Sequence, residues 1–302
     1  MPKLNFSERL IDPKTPDRRP RRAAYALPTM FTAGNVLLGF LSIIETFQGA
    51  MANVTGQSME AMHHFDLAAI MIGIAAVMDG LDGRIARMTN TVSDFGREID
   101  SLADVIAFGL APAMLAFAWG IQFVDWPFDA SVRTPIIRAG YFLCFLYLLS
   151  GAARLARFNV VTNPQPSNPG RADRKYFVGL PIPAAAAMVA SIVYFEGSTP
   201  LKYWIFSVAW MALMGMLAFL MVSTWRYRSF KDFNLGRPLS FKSLILFGSL
   251  MYLIYEYSRP VLFVLAITYM ASGILIRIGG LWRRNTQPTP QTTPKIPETQ
   301  VG

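Results

Sequence analysis

Asp79-Gly-Leu-Asp82-Gly83-Arg84-Ile-Ala86-Arg87, followed eight residues later by Gly96-Arg-Glu-Ile-Asp100-Ser-Leu-Ala-Asp104, sets four carboxylates inside or beside strongly apolar sequence. Carboxylates at membrane depth are costly and mark function. Asp79, Asp82, Gly83, Ala86 and Arg87 follow the i, i+3, i+4, i+7, i+8 spacing of one helix face. Gly96, Asp100 and Asp104 recur every four residues, again on one face. If the intervening eight residues turn, two antiparallel helices aim four carboxylates at one another. Such a group cannot remain ionised in a small space without cations. Its natural occupants are one or two hard divalent ions, Mg²⁺ or Mn²⁺, bound by oxygen.

The surrounding composition is that of a membrane protein. The chain is 53% hydrophobic with mean hydropathy +0.35, yet carries a net charge of +9. Its apolar residues fall in long blocks, which predicts an all-α integral membrane protein with about eight transmembrane helices. The predicted spans are 26–47, 65–88, 97–122, 136–158, 179–197, 203–224, 241–257 and 259–281. Basic-rich and basic-poor connections alternate along them. The segment 1–22 is rich in Arg, 48–64 has no Lys or Arg, Arg84, Arg87 and Arg97 flank the next connection, and 123–135 holds only Arg133. The positive-inside rule then puts both termini and the Asp cluster in the cytoplasm.

This pattern divides the chain into a basic cytoplasmic tail (1–22), a six-span block (23–224) that the family resemblance given below makes the catalytic core, a C-terminal transmembrane extension (225–284) and a Pro/Thr/Gln-rich disordered tail (285–302). The N-terminal segment lacks the short apolar core and small-residue cleavage site of a signal peptide. It reads as a solvated tail, with an interfacial helix through Leu4, Phe6, Leu10 and Ile11 as the alternative. The single cysteine, Cys144, excludes an internal disulfide and reads as a small buried apolar residue.

The two histidines, His63 and His64, sit at the far end of the second span, which argues against a His-based triad or zinc site at the cluster. Metals, carboxylate bases and guanidinium groups beside a bilayer suit phosphoryl-group transfer. Arg87 can hold phosphate oxygens. Gly83, Ala86 and Gly96 leave room for a flat base or a pyrophosphate, although small residues on membrane helices also serve close packing. Asp94 suits a helix cap. The rival for the whole cluster is the ion pathway of a transporter. The cluster's place at the cytoplasmic end of its spans, with nothing similar repeated later, favours transfer over transport.

The run resembles the signature of the CDP-alcohol phosphotransferase family, Asp-x2-Asp-Gly-x2-Ala-Arg-x8-Gly-x3-Asp-x3-Asp, at all eight fixed positions. Pro28 to Asn35 with Gly39 to Ile43, Asp100 to Gly109 with Ala111-Pro112, Ala153 to Asn159, and Phe177 to Ala184 are similar to the phosphatidylserine synthase branch of that family. The resemblance implies a six-helix core followed by C-terminal helices. It implies transfer of the phosphatidyl group from CDP-diacylglycerol to L-serine, with release of CMP. It makes Asp79, Asp82, Asp100 and Asp104 the ligands of two divalent ions, and Asp104 also the proton acceptor. Gly83, Ala86 and Gly96 would shape the cytidine pocket and Arg87 would face the phosphates. Thr32, Asn35 and Ser93 become nucleotide contacts, and the family suggests a homodimer; the compact chain with its short tails fits a cell inner membrane. Arg154 and Arg157, at the end of the fourth span, are candidates for the serine carboxylate; the alternative is that they anchor the helix at the interface. Choline and other alcohols serve relatives with the same signature.

Overall fold

The computed structural model describes residues 22–89, 94–162, 176–228 and 241–285. The proposed N-terminal interfacial helix and the C-terminal tail lie outside them. Eight helical rods make up the described chain: α1 (Arg22–Val54), α2 (Ser58–Thr89), α3 (Asp94 to Gln122), α4 (Ala130–Thr162), α5 (Ile182–Phe195), α6 (Trp204–Val222), α7 (Phe241–Glu256) and α8 (Ser258–Asn285). Strand β1 (Tyr176–Val178) pairs antiparallel with β2 (Arg226–Arg228), matching Phe177 to Tyr227.

Six of the rods are long and apolar enough to cross a membrane, so the protein is a multi-pass membrane protein. The other two, α5 and α7, have 14 and 16 residues. At 1.5 Å per residue these lengths fall short of a hydrocarbon core of about 30 Å. The expected count of eight is thus six by this criterion. Hydropathy had merged α5 with the non-helical Gly179-Leu180-Pro181 before it and the turn after it.

Large apolar side chains such as Leu37, Phe40, Phe142, Phe145, Ile205, Phe206 and Phe219 face outward, as lipid contact requires. Small ones line the interior: Ala68, Ala75, Ala107, Ala111, Ala116, Ala185 and Ala186 are fully buried. Apolar burial alone does not join helices in lipid, so close backbone approach must supply the packing energy. Gly39 shows how close: a Cβ there would lie 2.7 Å from the Ala107 Cα. That contact seats α1 against α3 one turn beyond Asp104. Cys144 is buried, as its apolar surroundings predict.

α3 is not uniform. It runs as Asp94–Asp104, then widens to π-helix over Val105–Leu110, returns to α over Ala111–Phe117 and widens again over Ala118–Gln122. A widened turn leaves carbonyls short of intrahelical donors, and lipid supplies none. Neighbouring side chains do. The Tyr147 hydroxyl donates to the Phe108 carbonyl at 3.0 Å, Trp210 Nε1 to Ala116 at 3.0 Å, and Ser207 Oγ to Gly120 at 2.7 Å. α4 and α6 therefore hold α3 in register, and α3 carries two of the four signature carboxylates.

The entry to α5 depends on Gly179. Its φ of +81° places it in the left-handed region, and a Cβ would lie 2.4 Å from the Met221 carbonyl oxygen. Its N–H donates to Trp225 at 2.8 Å, and the Leu180 N–H donates to Leu220 at 3.0 Å. At the other end of the bundle, Asp66 of α2 accepts from Ser198 and, at 2.8 Å, from Arg259 of α8. Arg259 also lies 4.8 Å from the Tyr194 ring centre. His64 pairs with Glu45 at 2.6 Å. It precedes Asp79 by fifteen positions on α2, about 22 Å along the axis.

Candidate active site

Asp79 projects from the C-terminal half of α2, and Asp100 and Asp104 from the first segment of α3. One carboxylate oxygen from each lies within 4.8 Å of the others. Asp100 and Asp104 share a face because they are one turn apart. Asp104 is 8% exposed and is the last residue before the first widened turn. Three like charges this close repel one another unless a proton or a cation intervenes. The donors are all hard oxygens, which fits Mg²⁺ or Mn²⁺ better than a soft or imidazole-seeking metal.

The side chains of Asp82, Gly83, Ala86, Arg87 and Asp94, and all of Ser93, lie outside the described residues, so the expected fourth carboxylate and the Asp94 cap do too. Gly96 is exposed at the start of α3. Thr32 and Asn35 of α1 are 7% and 2% exposed. Asn35 Oδ1 is buried without a hydrogen-bond donor among the described residues. Gly34 brings this stretch to the site: a Cβ there would be 2.9 Å from the Met78 Cε, beside Asp79.

The two arginines at the end of α4 part company. Arg157 is exposed, and its guanidinium donates to the carbonyls of Val222 at 3.1 Å and Val178 at 3.3 Å. It ties α4 to the end of α6 and to β1. Arg154 is 8% exposed, within the electrostatic reach of Asp104, Arg157 and Tyr269, and its Nε finds no acceptor among the described residues. Of the two arginines, Arg154 is the buried one and lies within the electrostatic reach of Asp104, whereas Arg157 is spent on backbone carbonyls. Asn159, on the same helix, donates to Ser101 Oγ at 3.0 Å and to Glu98 at 3.4 Å, which fixes the end of α4 on the first segment of α3.

A family model described as CDP-alcohol phosphatidyltransferase matches residues 25–222. The chain belongs to that family. Among curated proteins it is similar to the CDP-diacylglycerol–serine O-phosphatidyltransferase of Helicobacter pylori, 35% identical over 240 residues that cover 77% of this chain and 84% of that one. The Saccharomyces cerevisiae protein of the same name is 37% identical over 160 residues, covering 53% of this chain and 50% of its own. An archaetidylserine synthase of Methanothermobacter thermautotrophicus is 33% identical over 168 residues, or 55% and 57% of the two chains. Within the family-matched residues α1 to α6 gather Asp79, Asp100, Asp104 and Arg154, while α7, α8 and β2 lie beyond them.

Tyr269 of α8 and Tyr227 of β2 were not among the sequence candidates. Tyr269 reaches the field of Arg154, and its ring centre lies 5.9 Å from that of Tyr227. Nothing in a uniformly apolar span distinguishes Tyr269 beforehand. Only packing on the ribbon reveals it.

Proposed function

We propose that the chain is a phosphatidylserine synthase. It transfers the phosphatidyl group of CDP-diacylglycerol to the hydroxyl of L-serine and releases CMP. The observation that carries this reading is the convergence of Asp79, Asp100 and Asp104 within 4.8 Å, in a chain similar over most of its length to proteins of that name. Asp79, Asp82, Asp100 and Asp104 are the residues that would hold two divalent ions, Mn²⁺ or Mg²⁺. Such ions, when bound, share the negative charge of the pyrophosphate and of the departing CMP.

The chain's own groups do the rest. Thr32, Asn35, Gly83, Ala86, Ser93 and Gly96 shape the nucleotide pocket, and Arg87 binds phosphate oxygens. Asp104 takes the proton from the serine hydroxyl as its oxygen bonds to the diacylglycerol-bearing phosphorus. The bond between that phosphorus and the bridging oxygen breaks, and CMP leaves with the electron pair. Arg154 holds the serine carboxylate beside Asp104. A quaternary ammonium such as choline would instead meet the Arg154 cation, which favours serine as acceptor.

The chain sits in a cell inner membrane with both termini and the site on the cytoplasmic side, where serine and the nucleotide head are found. Residues 23–224 form the catalytic core, and two chains pair as a homodimer.

The test is CMP release by purified protein in detergent with CDP-diacylglycerol and Mn²⁺, offered serine, choline, glycerol 3-phosphate or no acceptor. CMP released only with serine, together with a new aminophospholipid, is the expected result. Release with a different acceptor overturns the synthase reading and keeps the family. Arg154→Ala is expected to raise the KM for serine by about tenfold or more, the loss of a charge-assisted bond, with the KM for CDP-diacylglycerol unchanged. Arg157→Ala is expected to lower the melting temperature. Unchanged serine affinity in both variants refutes the carboxylate role.

A further inference from the structure

Beyond the family-matched residues the chain adds β2, α7 and α8. α8 packs on α5 and on β2, and Tyr227 of β2 meets Gly273 and Tyr269 of α8. Tyr227 is fully buried, and its ring sits against Gly273 of α8 so closely that a Cβ there would lie 2.2 Å from the Tyr227 Cε1. Only glycine admits the ring at that depth. Tyr269, one turn before Gly273 on the same face of α8, has its ring centre 5.9 Å from that of Tyr227 and lies in the field of Arg154. Arg157, one turn after Arg154, bonds Val178 of the ribbon whose other strand carries Tyr227, so Arg154, Tyr227 and Tyr269 lie where the end of α4, the ribbon and α8 meet, within the electrostatic reach of Asp104.

Two donors at this junction are left over. Arg154 Nε and the Tyr227 hydroxyl are both buried, and neither has a hydrogen-bond partner among the described residues. Buried donors without acceptors are costly and call for an explanation. Burying Tyr227 without need for its hydroxyl would be better done by phenylalanine. Two buried donors left without acceptors, one of them cationic, match a carboxylate, whose two oxygens accept several hydrogen bonds.

We infer that Tyr227 and Tyr269, supplied by the ribbon and the C-terminal helix, complete with Arg154 the subsite for the acceptor's carboxylate and so set acceptor specificity. This rests on the synthase reading above. The extension is then part of the acceptor pocket as well as a membrane anchor. It also explains why Gly273 faces β2: the glycine lets the aromatic ring in.

The experiment uses the full chain with Tyr227→Phe, Tyr269→Phe and both together, against wild type. Serine and CDP-diacylglycerol KM, kcat, and use of ethanolamine (serine without its carboxylate) are measured beside the melting temperature. Each single variant is expected to raise the serine KM about tenfold and to leave the CDP-diacylglycerol KM unchanged. The preference for serine over ethanolamine is expected to fall by a similar factor, because a site built to bond a group rejects the analogue lacking it. Tyr227→Phe removes a hydroxyl without a partner, so its melting temperature should equal or exceed that of wild type. A merely structural tyrosine would not combine undiminished stability with weakened serine binding. Wild-type serine KM and preference in all three variants overturns the inference while the synthase reading stands. A wild-type protein that makes CMP with another acceptor and not with serine overturns both.

Discussion

Asp104→Asn is expected to cut CMP release by at least about a thousandfold in a protein that still folds and still binds CDP-diacylglycerol. Loss of a positioned general base alone costs about 10²–10⁴ in rate. Asn also withdraws a charged oxygen from the group that would hold cations, so the two losses fall on one step. Binding should survive because the proposed nucleotide contacts, Thr32, Asn35, Gly83, Ala86, Arg87, Ser93 and Gly96, do not include Asp104. Folding should survive because Asn keeps the shape of the side chain and one acceptor oxygen. It also lessens repulsion among carboxylates held within 4.8 Å of one another. The measurement is turnover beside binding of a CDP-diacylglycerol analogue and thermal melting. A variant that keeps more than about a tenth of the wild-type rate shows that the proton goes elsewhere. In that case Asp100, one turn earlier on the same face, is the next candidate.

The Asp104 substitution tests a residue that could be named from sequence, and the reason is geometric. A helix places i and i+4 on one face whatever surrounds it, so Asp100 and Asp104 had to point the same way. Their meeting with Asp79 required only that α2 and α3 run antiparallel. The burial of Cys144 followed from its apolar surroundings. Position along a helix does not settle contacts made by chain far away in sequence. Arg154 and Arg157 are the same residue type three positions apart, and only the end of α6 and strand β1 decide that Arg157 is used up on the carbonyls of Val178 and Val222. The widened turns of α3 leave no mark in an apolar stretch, because the donors that permit them, Tyr147, Ser207 and Trp210, lie on other helices. The ribbon pairs two three-residue strands about fifty positions apart, too short for any alternation to register. The length of α5 was obscured because hydropathy counts apolar loop residues as though they were helical, whereas the short 241–257 span was legible and matches α7 to within a residue.

Chelation should both stop the reaction and soften the fold, and the second effect separates a metal site from a cluster that merely contains acids. Two unit charges 4.8 Å apart repel by about 3 kcal/mol at an effective dielectric near 20. Asp79, Asp100 and Asp104 form three such pairs, so the metal-free chain must either bear that repulsion or take up a proton. A bound divalent cation reverses the sign of the local interaction. Exhaustive chelation is therefore expected to bring CMP release below about one per cent of its starting value and to lower the melting temperature, with Mn²⁺ or Mg²⁺ restoring both. Asp100→Asn sharpens the argument, because its effect on stability should change sign. With metal present the variant loses a ligand and should melt below wild type. Under chelation it loses a repulsive charge and should melt above it. A structural acid cluster gives the same shift under both conditions, and an adventitious surface ion gives none. Full activity in chelated protein, with no response of the melting temperature to added Mn²⁺, would contradict the metal centre directly, whatever the signature suggests.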